Sequence, residues 1–182
     1  MNQSEILKSL RKGMEEKQIT AYYIPTDDFH GSEYVSDYFK CREFVSGFTG
    51  SAGAMVITGD FAGLWTDGRY FIQAEAQLQG SEITLMKMGE PDVPTVEGFL
   101  KENLQDGDCL GFDGRCVNGA FIRRLCDVFQ DKKILMQGQY DLVGDIWKDR
   151  PTLVFHSVWE LEEFQSGCER LKKLQSLKIN LF

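Results

Sequence analysis

The stretch FVSGFTGSAGAMVITGDFAGLWTDGRYF, residues 44–71, holds six of the chain's 18 glycines, and its reading decides the fold. A glycine-rich loop cradles phosphate when it follows a strand and opens a helix, because backbone N–H groups and the helix dipole then converge on the anion. Here Gly47, Gly50 and Gly53 precede Ala54-Met55-Val56-Ile57-Thr58, an apolar, β-branched run that reads as a strand. No Gly-Lys-Ser/Thr follows, and the spacing fits G-x-x-G-x-x-G, not G-x-G-x-x-G. The glycines therefore serve to give a turn positive φ and to let a strand enter a crowded sheet. Gly59-Asp60 and Gly63 bracket a short connection, and Gly63-Leu64-Trp65-Thr66 reads as the antiparallel partner, so the stretch begins as a hairpin.

Outward from the hairpin, the pattern alternates. Asn2 with Glu5 forms a capping box for a first helix whose Ile6, Leu7, Leu10 and Met14 share a face. Ala21-Tyr22-Tyr23-Ile24 is a strand ended by Pro25. A helix is expected from Arg69 to Leu78, entered directly from Asp67-Gly68. Beyond it the expected order is strand 84–88, helix 95–104, strand 109–112, helix 120–129, strand 132–136 and helix 142–147. Such alternation makes a three-layer α/β/α domain with a mixed, mostly parallel sheet and one antiparallel hairpin. The pattern breaks near Trp147-Lys148-Asp149-Arg150-Pro151. The domain is therefore drawn at residues 1–153, with 154–182 as linker and a capped amphipathic helix over 168–179. That helix stops at Leu181-Phe182 with no strand after it, and Leu171, Leu174 and Leu177 are expected to pack on the domain or on a second copy.

Composition narrows the function. With 182 residues, 42% hydrophobic content and a net charge of −8, the chain supports one well-buried domain and offers no basic run for nucleic acid or an anionic membrane. No apolar stretch reaches a membrane span, and the N-terminus lacks the order of a signal peptide, so a cytoplasmic location is expected. Cys41, Cys109, Cys116, Cys126 and Cys168 are odd in number, lack C-x-x-C and sit among apolar residues, so buried free thiols are expected.

No complete catalytic set is present. The two histidines, His30 and His156, form no H-E-x-x-H, and Ser46 and Ser51 lack a nucleophile elbow. Asp27, Asp28 and His30 have metal-ligand chemistry, but an Asp pair before Gly31-Ser32-Glu33-Tyr34 more simply caps a short helix. Arg69 follows Trp65-Thr66-Asp67-Gly68 at the carboxyl edge of the sheet, where ligands collect. It is read either as a ligand contact or as the ion-pair partner of Asp67 or another local acid. Tyr70 and Phe71 are read as core.

Three motifs carry a resemblance: residues 23–34 (YIPTDDFHGSEY), 44–53 (FVSGFTGSAG) and 65–71 (WTDGRYF). With Leu85-Met86-Lys87-Met88-Gly89 and the segment 141–151 in the same order, they resemble the N-terminal domain of Xaa-Pro aminopeptidases (aminopeptidase P), over residues 5 to 151. The resemblance implies the creatinase/prolidase N-terminal architecture, which is ribonuclease H-like. In longer relatives it implies a second domain of similar fold and a C-terminal pita-bread metallopeptidase domain. There two divalent metals, usually manganese, activate water to remove the residue preceding proline.

None of those metal positions exists here, so no cofactor is expected in this chain. The expectation is an N-terminal portion, inactive alone, that serves substrate admission and assembly for proline-containing peptides, with a homo-oligomer among the arrangements. Its partners would be the absent second and catalytic domains, and Arg69, Asp67, Tyr70 and His30 are the candidate substrate-access or interdomain residues. The alternatives are a free-standing protein- or peptide-binding module on the same fold, and an enzyme with an unrecognised site.

Overall fold

The computed structural model describes residues 2–179. In chain order the elements are α1 (Gln3–Glu16), β1 (Ala21–Pro25), a 3₁₀ turn (Asp37–Phe39), α2 (Cys41–Ser46), β2 (Ala54–Thr58) and β3 (Ala62–Thr66). Then follow α3 (Phe71–Gln77), β4 (Thr84–Lys87), α4 (Val96–Asn103), β5 (Cys109–Phe112), α5 (Gly119–Val128), β6 (Leu135–Gln137) and α6 (Leu142–Ile146). Two helices, α7 (Glu163–Ser166) and α8 (Arg170–Ile179), lie in the tail.

The strands form one six-stranded sheet in the order β4-β3-β2-β1-β5-β6. Pairs β3–β4, β1–β5 and β5–β6 are parallel, whereas β1–β2 and β2–β3 are antiparallel. Two successive reversals restore direction, so β2 alone opposes the other strands, and the carboxyl ends of β1, β3, β4, β5 and β6 gather on one edge.

Alternation along each strand divides the core. Tyr22, Ile24, Met55, Ile57 and Leu64 face one cluster with Leu7 and Leu10 of α1, Val45 of α2 and Leu142 of α6. Tyr23, Val56, Trp65, Leu110 and Phe112 face the other, with Leu100 of α4 and Leu125 of α5. Both sheet faces are thus covered, the three-layer α/β/α arrangement expected from the alternating pattern. Local signals set the helix starts. Asn2 Oδ1 accepts from the Glu5 N–H and Glu5 Oε2 from the Asn2 N–H, each at 2.9 Å. Thr95 caps α4 through Gly98 N at 3.1 Å.

The glycines do what the hairpin requires. A Cβ on Gly53 would lie 2.8 Å from the Trp65 carbonyl oxygen, and one on Gly63 2.6 Å from the Phe61 ring. Gly47 closes α2 with φ +73°, the left-handed region glycine occupies without penalty.

Several expectations need correction. The helix after β3 begins at Phe71, not Arg69, because Asp67 first closes a turn by accepting from the Arg69 N–H at 3.1 Å. The last strand starts at Leu135 instead of Lys132, since the Lys132 N–H returns to the Phe129 carbonyl at 2.8 Å and closes the end of α5. The sequence pattern predicts no element over residues 41–46, where the structure has the regular helix α2. Asp28 does not cap a helix: its Oδ1 accepts from His30 N (2.8 Å) and Ser32 N (3.1 Å) and pins an irregular loop. Cys126 is exposed and Cys168 half-buried, so only Cys41, Cys109 and Cys116 fit the buried-thiol expectation.

The tail also departs. Residues 151–162 form no regular element, and Leu171, Leu174 and Leu177 of α8 are exposed by half or more and not packed on the domain. Leu181 and Phe182 lie outside the described residues.

Gly53→Ala is expected to destabilise the domain by about 1–3 kcal/mol, because the Trp65 carbonyl belongs to the sheet and cannot retreat. Chemical denaturation checks this, and a variant with an unchanged midpoint contradicts the crowding.

Candidate functional site

The carboxyl edge is organised by two arginines that the sequence reading passed over. Arg42, on α2, is 4% exposed. Its Nε donates to Thr26 Oγ1 at 2.7 Å, its Nη1 to the Phe48 carbonyl at 2.7 Å, and its Nη2 to the Gly50 carbonyl. The guanidinium also stands 4.7 Å from the centre of the Phe48 ring. Thr26 Oγ1 in turn donates to the Gly53 carbonyl at 2.7 Å, and Thr66 Oγ1 donates to the Ala52 carbonyl at 2.7 Å.

Four carbonyls of the glycine-rich loop are therefore bound by donors of α2, β3 and the end of β1. The polarity is the inverse of a phosphate loop: carbonyls gather on a cation where N–H groups would gather on an anion. Among the described residues no carboxylate pairs with Arg42, and burial holds its guanidinium below its ordinary value, at about 10.

The second arginine, Arg150, reaches back from beyond α6. Its Nε donates to the Tyr38 carbonyl at 2.8 Å, its Nη2 to Cys41 Sγ at 3.1 Å, and its Nη1 to Asp141 Oδ2. The guanidinium stacks 3.8 Å from the centre of the Tyr38 ring. Asp141 also caps α6 through the Gly144 N–H at 2.8 Å and accepts from Arg115, which chelates Asp113 at the end of β5. Burial acts to raise the Asp141 carboxyl, but hydrogen bonds from Arg150 and Gly144 and the two guanidinium charges outweigh it and hold it below its usual range.

Of the residues singled out in the sequence, Asp67, Arg69 and Tyr70 come together after β3. Arg69 Nε and Nη2 meet Asp67 Oδ1 and Oδ2, both at 2.8 Å, in a forked pair. The hydrogen bond from Arg69 pulls the Asp67 carboxyl down. Tyr70 is partly buried against the core and shares a 2.8 Å hydrogen bond with Ser51 Oγ, tying this turn to the glycine-rich loop. His30 stands apart. It is exposed on the loop after β1, with its ring 4.2 Å from that of Phe29, and no hydrogen bond or ring contact joins it to the other three. Asp27 Oδ1 accepts from the Asp28 N–H at 2.9 Å, so both aspartates are committed to backbone. Among the described residues no group of three or more His, Cys, Asp or Glu side chains can hold a metal ion.

A groove of 330 Å³ opens at this edge between Thr26, Glu33, Tyr34, Arg42, Thr49 and Ser51. The exposed Tyr34 stands at its rim. Of the large apolar side chains exposed in residues 2–153, Phe29, Tyr34, Ile72 and Met88 all follow β1, β3 or β4 at the carboxyl edge, and only Leu135 lies elsewhere.

Fold and edge together define the class: a three-layer α/β/α domain that presents a rigid, partly apolar carboxyl edge. Residues 6–139 match the Creatinase/Prolidase N-terminal domain, and the chain belongs to that family. Over 180 residues it is 39% identical to a probable Xaa-Pro aminopeptidase P of Laccaria bicolor, covering 98% of this chain and 28% of the relative. Over 151 residues it is 47% identical to aminopeptidase P1 of Arabidopsis thaliana, covering 81% and 23%. It superposes on the X-prolyl aminopeptidase of Caenorhabditis elegans, described as a cytosolic enzyme with a di-nuclear active site, with a TM-score of 0.90 and 34% identity. That match covers 100% of this chain and 31% of the other. The chain thus spans about a quarter to a third of the length of these relatives.

Asp141→Ala is expected to cost about 3 kcal/mol, since it strands the Arg150 guanidinium and uncaps α6. The folded carboxyl lies below its unfolded value near 3.8. Its stabilisation is therefore complete above that value and is lost as pH falls through the folded one. Denaturation midpoints measured down through the acid range should fall more steeply for the native protein than for Asp141→Asn; parallel curves contradict the assignment.

Proposed function

We propose that this chain is the N-terminal domain portion of a metal-dependent Xaa-Pro aminopeptidase, inactive alone, and that its carboxyl edge shapes substrate admission and assembly. The observation that carries the reading is the superposition of the whole chain on the intact Caenorhabditis elegans enzyme. The apolar edge supports it, because Phe29, Tyr34, Ile72 and Met88 need a covering surface that this chain does not supply.

In this reading the two divalent metals, with manganese the expected pair, belong to a catalytic domain outside these residues, and the donor set here does not fit them. In the same reading the domain proper is residues 1–153, and 154–182 are a linker and helix that lead into a second domain. Arg69 sits at the mouth, where it offers its outer N–H groups to a peptide carboxylate or an acidic side chain across the boundary while Asp67 fixes its plane. No helix among the described residues is long and apolar enough to cross a membrane, and the Caenorhabditis elegans relative is called cytosolic, so we place the parent in the cytoplasm.

The purified chain should show no hydrolysis of Xaa-Pro peptides with or without manganese; turnover that tracks added metal through re-purification would sink the reading. A chimera carrying residues 1–153 in place of the matching segment of the Caenorhabditis elegans enzyme should retain activity within about tenfold of the parent. A folded but inactive chimera counts against equivalence. In that chimera Arg69→Ala should raise KM or loosen assembly more than it lowers kcat, because such a contact binds substrate and transition state alike. Unchanged kinetics and assembly with reduced stability would leave Arg69 a purely structural partner of Asp67.

A further inference from the structure

We propose that the crevice between the carboxyl ends of β1 and β5 binds a free small α-amino acid, held as its zwitterion by Asp27, Tyr23 and Arg124. β1 and β5 are parallel neighbours, and the chain leaving β1 turns to α2 on one face of the sheet while the chain leaving β5 turns to α5 on the other. Where connections part in this way an α/β sheet leaves a crevice at its carboxyl edge, the favoured seat of a small ligand. A cavity of 100 Å³ lies there, with Pro25, Val117 and Phe121 as its apolar wall. At about 30 Å³ for each water of the liquid, it has room for about three waters, the bulk of the smallest amino acids.

The polar groups of that cavity have hydrogen-bonding capacity to spare. Tyr23 is 9% exposed and lines the cavity, and among the described residues its hydroxyl makes no hydrogen bond. Tyr22, on the other face of β1, differs: its hydroxyl donates to the Tyr140 carbonyl at 2.7 Å and accepts from the Leu142 N–H at 3.2 Å. No fully buried side-chain nitrogen or oxygen of the described residues lacks a partner, so the Tyr23 hydroxyl is open to the cavity. Burial, with Glu97 and Asp27 close by, pushes this phenol well above its ordinary range, so it stays an O–H that both donates and accepts. The half-buried Asp27 gives Oδ1 to the Asp28 N–H at 2.9 Å and keeps lone pairs free. Burial raises its carboxyl more than hydrogen bonds from Asp28 and Asn118 lower it, so a cation beside it is favoured. Arg124, at the exposed rim, spends Nε on Glu97 Oε1 at 3.2 Å, and among the described residues its Nη1 and Nη2 make no hydrogen bond. An ammonium and a carboxylate carried on one carbon answer both charges of the cavity at once, whereas an amine or an acid alone leaves one unanswered. The choice of occupant stands on these charges, and a peptidase of the kind proposed above releases such molecules.

The test is a titration of the full chain with alanine, read from backbone amide resonances. Saturable shifts are expected at residues 23–28 and 117–124, half-complete at about 1–10 mM, a range open to so small a ligand. Ethylamine and propionate, each lacking one of the two charges, should bind at least about tenfold more weakly, and so should the dipeptide Ala-Ala, whose charges stand further apart. Tyr23→Phe keeps the ring stacked on Phe121 and loses only the hydroxyl, and it should weaken alanine about fivefold. Asp27→Asn and Arg124→Gln should each weaken it about tenfold. Arg69→Ala, in the turn after β3, should leave this affinity as it is.

Absence of saturable shifts up to about 100 mM alanine overturns the proposal. Equal binding of ethylamine or propionate also overturns it, by reducing the contact to simple charge pairing. Tighter binding of Ala-Ala overturns it in favour of a peptide. Affinity lost in Arg69→Ala and kept in Arg124→Gln moves the ligand to the turn after β3 and overturns it as well. Arg124→Gln changes only an exposed side chain, so undiminished affinity in that variant is decisive even if Asp27→Asn misfolds. The titration uses this chain alone, so its result is independent of whether the chimera is active.

Discussion

The Arg42 guanidinium is the contact on which the working edge depends. A buried cation without a carboxylate is costly, and the cost is offset only where several acceptors converge on it with good geometry. Here the acceptors are the Phe48 and Gly50 carbonyls and the Thr26 hydroxyl. The loop can turn its carbonyls inward because Gly50 and Gly53 have no side chain to collide with Phe48, Tyr70 or the Trp65 carbonyl. The glycines and the arginine therefore form one device, which explains a glycine-rich run that lies before a strand instead of after one.

That device matters because of the direction of the sheet. With β2 as the only reversed strand, the loop that enters it lies among the carboxyl ends of β1 and β3. Tyr70 bonds to Ser51 and Thr66 to the Ala52 carbonyl, so a rigid loop fixes the turn that carries Asp67 and Arg69. On the far side Arg150 and Asp141 lock α6, the 3₁₀ turn and α2 to the end of β5. The edge is thus clamped from both flanks by charged hydrogen bonds, while Phe29, Tyr34, Ile72 and Met88 remain uncovered.

Much of this was legible in the sequence. The short continuous apolar runs at 21–24, 54–58 and 109–112 and the capping box at Asn2 set the layers, because they depend on local chemistry alone. Asp67, Arg69 and Tyr70 were found because a strand end followed by a charged turn is a local signal. Arg42 and Arg150 were not, because their partners lie on other elements and a single arginine in a short polar segment looks solvated. Helix α2 was missed for a related reason: six residues carry too little periodicity to separate a helix from a turn. The tail helix was read correctly as a helix, and of the two covers expected for its leucines, the domain or a second copy, the first is not what the structure shows, since amphipathic spacing says that a face seeks cover and not where cover lies.

Hydrogen exchange on Arg42→Lys, compared residue by residue with the native chain, tests the central claim most directly. Lysine keeps the charge but cannot direct a planar fork at three acceptors. The account predicts faster exchange through residues 44–53 and 66–70, with β5, β6, α4 and α5 protected as in the native protein. Exchange that is unchanged at the loop, or raised equally throughout the domain, would show that the guanidinium does not hold this edge.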